Sequence, residues 1–264
     1  MGSESARHSI VLAALLASSV GCRSVDRTSG PGRATAAQAS DGGSRSDASG
    51  DGSAVVTIAG ESFVVRSWSF DTARTSFTLA DLGMHASLTD ALGDAGLVAI
   101  NAGFFDPDGH AVGFAVSRGK VLSKYSATMS GGVFFTVDGV AHVAATEEFD
   151  PRQRVDLAVQ CRPRLVVQGR ANVRGDDGQR AERTALCVRD AGRAVDIVIA
   201  EPVRGTRGPS LFALGQFLAE QRHCDDALNL DGGPSTGVAY RVGDAGTANL
   251  LRPRGPLRYA LVMR

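Results

Sequence analysis

Short apolar segments punctuated by Gly, Asp and Pro recur from residue 54 to residue 264, and they constrain the fold of this chain more than any other feature. Most are too short for an ordinary helix and are rich in Val, Ile, Phe and Thr, which is typical of β-strands. The predicted strands are 55–58, 63–65, 68–70, 77–79, 97–101, 112–116, 132–137, 141–144, 155–160, 165–168, 183–188, 195–200, 228–230 and 259–263.

Two segments predict helices instead. Apolar residues at helical spacing fill 210–221, and Ser210 can cap its first turn. A shorter helix begins after Ser87, with Asp90 placed to return the capping bond. Many strands with few helices predict an α+β fold: one mostly β domain, residues 54–264, with mixed or antiparallel sheets.

The residues before this domain predict export. The apolar stretch 10–17 is too short to span a bilayer but suits the core of a signal peptide within residues 1–22. Ser19-Val20-Gly21-Cys22 resembles a bacterial lipoprotein box, in which the cysteine is acylated; simple secretion with cleavage nearby is the alternative. Residues 23–53 are rich in Ser, Gly and Asp, which predicts a disordered tether. We expect a lipoprotein of the bacterial cell envelope, periplasmic or at the surface, that meets the membrane through its lipid alone.

Composition limits the partners and the redox chemistry. The formal net charge is zero, so nothing favours binding to nucleic acid. Cys161, Cys187 and Cys224 remain in the domain, and their spacing fits no zinc site. In an oxidising compartment two of them could form a disulfide; three buried thiols are the alternative.

The segment most suited to chemistry is Asn229-Leu230-Asp231-Gly232-Gly233-Pro234-Ser235-Thr236. It begins as a strand with one buried face and breaks into two glycines, which let a ligand approach the main chain. Polar loops at strand ends are where rigid scaffolds present catalytic groups.

Four segments resemble, in order, motifs of the phosphodiester glycosidase family. They are Ile100-Asn101-Ala102-Gly103-Phe104-Phe105-Asp106 with Gly113 and 117–122, then Arg183-Thr184-Ala185, then helix 210–221 leading through Cys224-Asp225-Asp226-Ala227, and finally Asn229-Leu230-Asp231-Gly232-Gly233. The family includes a lysosomal enzyme that removes N-acetylglucosamine from a sugar-1-phosphate diester. The resemblance implies a hydrolase that cleaves the glycosidic C–O bond of such a diester, acting on a glycan or sugar phosphate without a cofactor.

That reaction needs a carboxylate for the oxocarbenium-like sugar and cations for the departing phosphate. The carboxylate candidate is Asp231, which could instead only cap the glycine turn. The cation candidate is Arg183, whose planar fork suits oxyanions, although a solvated surface charge is the alternative.

The predicted substrate-binding residues surround these two. Amide side chains suited to sugar hydroxyls are Asn101, Gln160 and Asn229. Phe104 or Phe105 could stack on a sugar ring. Hydroxyls for the phosphate, supported by the amides of Gly232 and Gly233, come from Ser235 and Thr236.

Two departures from the family pattern stand out. Gln160-Cys161-Arg162-Pro163 has arginine where the family usually has glycine, and Thr236 replaces a serine. The arginine favours an alternative function, a non-catalytic carbohydrate-binding or envelope-scaffold lipoprotein. A further alternative is calcium held by Asn229, Asp231 and Asp225 or Asp226, although no EF-hand spacing is present.

Overall fold

The computed structural model describes residues 53–242 and 248–264, and these contain seventeen β-strands and two α-helices. The predicted signal peptide 1–22, its Cys22 and residues 23–52 of the predicted tether lie outside the described residues. The strands are β1 Ala54–Ile58, β2 Glu61–Asp71, β3 Phe77–Asp81, β4 Val98–Asn101, β5 Ala115–Ser117, β6 Lys120–Ser123, β7 Gly132–Val137, β8 Val140–Ala145, β9 Leu157–Cys161, β10 Arg164–Val167, β11 Arg170–Ala171, β12 Arg183–Arg189, β13 Ala194–Pro202, β14 Asp226–Asn229, β15 Val238–Arg241, β16 Ala248–Leu251 and β17 Tyr259–Met263.

The two helices are α1, Leu88–Leu92, and α2, Leu211–Glu220. The predicted caps are present. Ser87 and Asp90 form a capping box on α1, and the Ser210 side chain accepts the Ala213 amide of α2. Among the described residues no helix is long and apolar enough to cross a membrane.

The strands form three sheets, and every pairing among the named strands is antiparallel. The large sheet has the order β1-β2-β13-β12-β14-β10-β11, the second sheet β16-β15-β4-β17-β3, and the third sheet β6-β5-β9-β7-β8. Several adjacent pairs, such as β12 with β13 and β7 with β8, are hairpins. This architecture confirms the predicted α+β class of a mostly β domain with few helices.

The main core lies where the three sheets face one another. It joins Ile197 and Leu228 of the large sheet to Ile100 and Leu261 of the second sheet and Phe134 of the third. The opposite face of the large sheet is covered by α2, and α1 covers the outer face of the second sheet. Segments that follow strands of different sheets therefore lie close together, as those after β4 and β14 do where Asn101 binds the main chain of Asp231.

The structure departs from the predicted strands in a few places. The predicted strand 112–116 starts only at Ala115, because Gly113 has φ +93° and a Cβ there would lie 2.7 Å from Met129 Cε. β9 begins at Leu157, two residues later than predicted, and β6, β11, β15 and β16 were not predicted. The buried residues Val238, Ala239 and Tyr240 show no polar alternation, so periodicity could not reveal β15.

One disulfide joins Cys187 to Cys224, and Cys161 is a buried free thiol. The bond links β12 to the turn that precedes β14. These two strands are also neighbours in the large sheet and pair with each other. The sequence left this pairing open, because the distance between cysteines depends on the sheet order.

Candidate active site

A cavity of about 710 Å³ lies where β12, β14 and the connection between β9 and β10 meet. Its walls include Phe104, Glu147, Arg162, Arg164, Arg183, Leu211, Asn229, Asp231, Gly232 and Gly233. Arg183 and Asp231 are far apart in sequence, yet they line the same cavity. A larger cavity of about 870 Å³, beside Asp71 and Asp138, contains none of the predicted site residues.

Asp231 sits just beyond β14 and is partly buried. Its Oδ1 accepts the Gly232 amide (2.8 Å), and Ser235 also hydrogen-bonds to the carboxylate. Burial raises the pKa of Asp231 above the ordinary value of 3.8, while these two hydrogen bonds oppose the rise. An oriented carboxylate with a raised pKa in a cleft is a physical signature of a functional group.

Arg183, the first residue of β12, presents a half-buried guanidinium to the same cavity. Its Nε and one terminal nitrogen donate only long bonds of 3.4 Å, to the carbonyls of Pro209 and Gln179. Burial lowers the pKa of Arg183, but arginine stays charged at neutral pH. In the described part of the chain no carboxylate forms an ion pair with it, so its charge remains available to a ligand.

Two further arginines, which sequence reasoning did not assign to the site, line this cavity. Arg162 and Arg164 flank Pro163 in the corner between β9 and β10. Against these and Arg183 stand two carboxylates, Asp231 and Glu147, so the formal charge of the lining is one positive. That surplus matches a single negative charge, such as that of a phosphodiester. The sequence could not show that Arg162 and Arg164 belong to the cavity, because this depends on how β9 and β10 lie relative to β14.

Asn229 carries an unused acceptor. Its Nδ2 donates to the carbonyls of Arg162 (2.8 Å) and Leu230 (2.7 Å), which fixes the orientation of the amide. Its Oδ1 is buried and has no hydrogen-bond partner among the described residues, although Asn229 lines the cavity. A buried acceptor without a donor costs free energy, and a shift of this side chain toward the cavity would expose the oxygen to a ligand donor.

Asn101 does not line the cavity. It is fully buried, and its Nδ2 donates to the main-chain carbonyl of Asp231 (2.6 Å). Its Oδ1 accepts the Thr184 hydroxyl (2.7 Å) and the Gly237 amide (3.2 Å). Asn101, predicted to contact the substrate, is therefore a positioning residue that joins its own motif to those of Thr184 and Asp231. The sequence indicated Thr184 only as a member of its motif and gave no sign of this bond.

Gln160 is likewise fully used inside the protein. Its Oε1 accepts the amides of Phe114 and Ser126 (both 3.0 Å), and its Nε2 donates to the Ser126 carbonyl (2.8 Å). It is 1% exposed and does not line the cavity. Its amide supports neighbouring loops, so the structure offers none of it to a substrate.

The predicted phosphate cradle after Asp231 is also largely occupied by protein contacts. The amide of Gly232 binds the Asp231 carboxylate, and the amide of Gly233 donates to the Glu182 carbonyl (2.8 Å). A Cβ on Gly232 would lie 3.0 Å from that carbonyl, which explains the glycine. Ser235 binds Asp231, whereas the buried Thr236 hydroxyl has no partner among the described residues and does not line the cavity.

Phe104 lines the cavity, while its inner part packs against the main core.

The predicted calcium ligands are not gathered at one place. Asp226 binds the Gln168 amide at the opposite end of β14 from Asp231. The two are five positions apart in a segment that begins as β14, a separation of up to about 16 Å at roughly 3.3 Å per residue. In the described ranges, ligand atoms of Asp106, Asp108 and His110 do lie within 4.8 Å of one another, in an exposed turn away from this cavity.

Comparisons with solved structures find proteins of similar fold. The catalytic domain of zebrafish N-acetylglucosamine-1-phosphodiester alpha-N-acetylglucosaminidase, auto-inhibited by its pro-peptide, superposes with a TM-score of 0.61 and 18% identity, over 80% of this chain and 81% of that one. A hypothetical protein from Synechocystis superposes with a TM-score of 0.59 and 16% identity, over 80% of this chain and 61% of that one. These likenesses show the fold. No match is found among curated proteins.

The family comparison covers most of the domain. The family model of the phosphodiester glycosidases matches residues 95–261, which include every residue of the candidate site. The chain therefore belongs to the phosphodiester glycosidase family, a family of hydrolases.

Proposed function

We propose that this protein hydrolyses the glycosidic C–O bond of a sugar-1-phosphodiester. The observation that carries the proposal is the meeting of one oriented carboxylate, Asp231, with three arginines in a single cavity. Similarity to the zebrafish phosphodiester glycosidase supports this substrate class without naming the sugar.

The roles follow from the charges that develop during cleavage. As the anomeric C–O bond breaks, its electron pair stays with the phosphate oxygen and positive charge grows on the sugar. Asp231 stabilises that charge as nucleophile or as base for water. Arg183 stabilises the negative charge of the phosphate monoester as it leaves. This leaving group is already a weak base and needs little protonation. Water supplies the hydroxyl of the released sugar.

Positioning comes from the neighbouring polar groups. The Asn229 Oδ1, which is buried without a partner among the described residues, would accept a sugar hydroxyl once its side chain opens to the cavity that it lines. Asn101 and Thr184 hold the main chain of Asp231, which limits the movement of the carboxylate. Preorganised groups of this kind avoid reorganisation during the reaction.

The experiment is a screen of the purified protein against sugar-1-phosphodiesters, with and without calcium. In Asp231→Asn we expect turnover to fall by roughly two to four powers of ten, as is usual for the loss of acid–base help. Asp226→Asn is the matched control, because that aspartate is also half-buried with a raised pKa but lies at the far end of β14. Full activity in Asp231→Asn would contradict the assignment.

Arg183→Lys tests the phosphate role. Lysine keeps the charge but loses the two-pronged geometry, so activity should fall, whereas Arg193→Lys, at an exposed position away from the cavity, should not change it. Equal activity in both variants would exclude Arg183 from the site.

A non-catalytic carbohydrate-binding protein is the second candidate, because Arg162 replaces the usual glycine and lines the cavity. It predicts binding of sugar phosphates without turnover, and unchanged affinity in Asp231→Asn. In either case we propose that the domain is carried on an envelope lipoprotein anchored at Cys22.

A further inference from the structure

A second cavity, of about 440 Å³, adjoins the Asp231 cavity. The two share a wall made of Phe104 and Arg162, which line both. Volumes of this size suit small-molecule sites, which typically span about 300–1,000 Å³. The adjoining cavity therefore extends the candidate active site beyond its arginines.

The lining of this adjoining cavity is apolar over four residues, carries the hydroxyls of Ser126 and Thr128 beside the guanidinium of Arg162, and among the described residues contains no carboxylate. The two hydroxyls lie 3.4 Å apart and can bond to each other. Phe105, Val112 and Met129 form its apolar walls. Val112 is 39% exposed, although most large apolar side chains of the domain are buried. Its amide donates to the Phe104 carbonyl (2.8 Å), which holds the two walls together. An exposed apolar surface held in a fixed concave shape suits a ligand with an apolar part.

We propose that this adjoining cavity binds the aglycone of the substrate, and that the aglycone is an apolar alcohol such as an aliphatic chain. The inference rests on the proposed function, which places the sugar beside Asp231. A phosphodiester carries two ester arms on one phosphorus atom. With the sugar arm at Asp231 and the phosphate at the arginines, the other arm passes Arg162 and reaches the apolar walls.

Arg162 has a defined place in this arrangement. It is the one charged residue that borders both cavities in the described chain, and no described carboxylate forms an ion pair with it. A guanidinium at that border can bind the phosphate while its aliphatic stem covers apolar surface. A charged aglycone would find no opposite charge beyond the phosphate, apart from Arg162 itself. Four apolar residues, two hydroxyls and no described carboxylate therefore favour an uncharged and mainly apolar arm.

The experiment measures binding of alkyl phosphates, the products that such substrates would release. Methyl, butyl and hexyl phosphate are titrated into the purified protein by calorimetry. Each buried methylene group adds up to about fourfold in affinity, so hexyl phosphate should bind at least about tenfold more tightly than methyl phosphate.

Three variants assign the effect to its residues. Val112→Ser should weaken hexyl phosphate by about threefold or more and leave methyl phosphate unchanged. Val121→Ser is the matched control, because Val121 is 56% exposed but lies on β6 outside both cavities. Arg162→Gln should weaken all three phosphates, methyl phosphate included, since it removes a phosphate contact, and affinity should still rise with chain length because Phe105, Val112 and Met129 remain.

The outcomes separate this inference from the proposed function. Equal affinity for the three alkyl phosphates, with hydrolysis of sugar-1-phosphodiesters intact, would overturn the aglycone site alone. Chain-length-dependent binding that Val112→Ser abolishes, without hydrolysis of any diester, would overturn the proposed function and retain the apolar site. Absence of binding by all three alkyl phosphates would overturn the aglycone site.

Discussion

Reduction of the Cys187–Cys224 disulfide should destabilise the domain substantially. The two cysteines are 37 residues apart and are almost completely buried. The loop-closure relation for a segment of this length gives about 4 kcal/mol of stabilisation through the restricted unfolded chain. For a domain of this size, such a change corresponds to a fall in melting temperature of about 8–16 °C.

The same reduction should leave the native site almost unchanged. β12 and β14 remain held by their own main-chain pairing, including Ala185 opposite Asn229. Alkyl phosphate binding and turnover at low temperature should therefore persist in the reduced protein. The loss is expected in the free energy of unfolding, and the geometry around Asp231 should be retained.

The assay is urea unfolding of the oxidised and the fully reduced protein, with the free energy extrapolated to water. A Cys187→Ala/Cys224→Ala variant, compared with the reduced protein, separates the lost cross-link from the lost packing of two buried side chains. Cys161→Ala is the control, because that buried thiol forms no bond in the described structure. Equal unfolding free energies for the oxidised and reduced forms, or mass-spectrometric mapping of a bond to Cys161, would refute the reasoning.

Four other outcomes are expected. Because Asp231 has a raised pKa and the proposed function uses its ionised form, kcat/KM should fall as the pH drops through that pKa, which a pH–rate profile measures. A raised pKa also means that ionisation of Asp231 destabilises the folded protein. At pH values above this pKa, Asp231→Asn should therefore increase the urea midpoint, and at pH values below the ordinary aspartate pKa the midpoint should not change. Thr184→Val should cost about 1 kcal/mol in urea unfolding and reduce turnover, since it removes a buried bond to Asn101; unchanged values would exclude the positioning role. Cys22→Ala should move the protein from the membrane fraction to the soluble fraction of a bacterial host; unchanged fractionation would contradict lipidation.

Much of the scaffold could be predicted from local signals. The capping box at Ser87 and Asp90 depends on residues three positions apart, and the structure reproduces it. The strand that delivers Asp231 is marked by its own apolar residues and by the glycines that end it. Such features need no knowledge of what lies across the sheet, so sequence patterns are sufficient for them.

Local signals could not predict which polar residues are available to a ligand and which bind only other parts of the protein. Asn101 and Asn229 both end strands near glycines, yet the first is saturated by protein contacts and the second keeps an acceptor that no described residue binds. Gln160 belongs to a family motif but supports loops from within. The role of Arg162 depends on the order of β9, β10 and β14 in space, which only the assembled sheets provide.

The corner between β9 and β10 has a consequence for how substrate range can diverge on this scaffold. The corner consists of Arg162 and Pro163, and the strands on either side belong to different sheets with partners of their own. Asn229 binds the main-chain carbonyl of Arg162, which a residue of any type would offer. A point mutation at this position can therefore exchange the side chain that lines both cavities while Asp231 and its supports stay in place. Under the proposed function, selectivity for the leaving group and the groups that cleave the bond can evolve on separate parts of the chain.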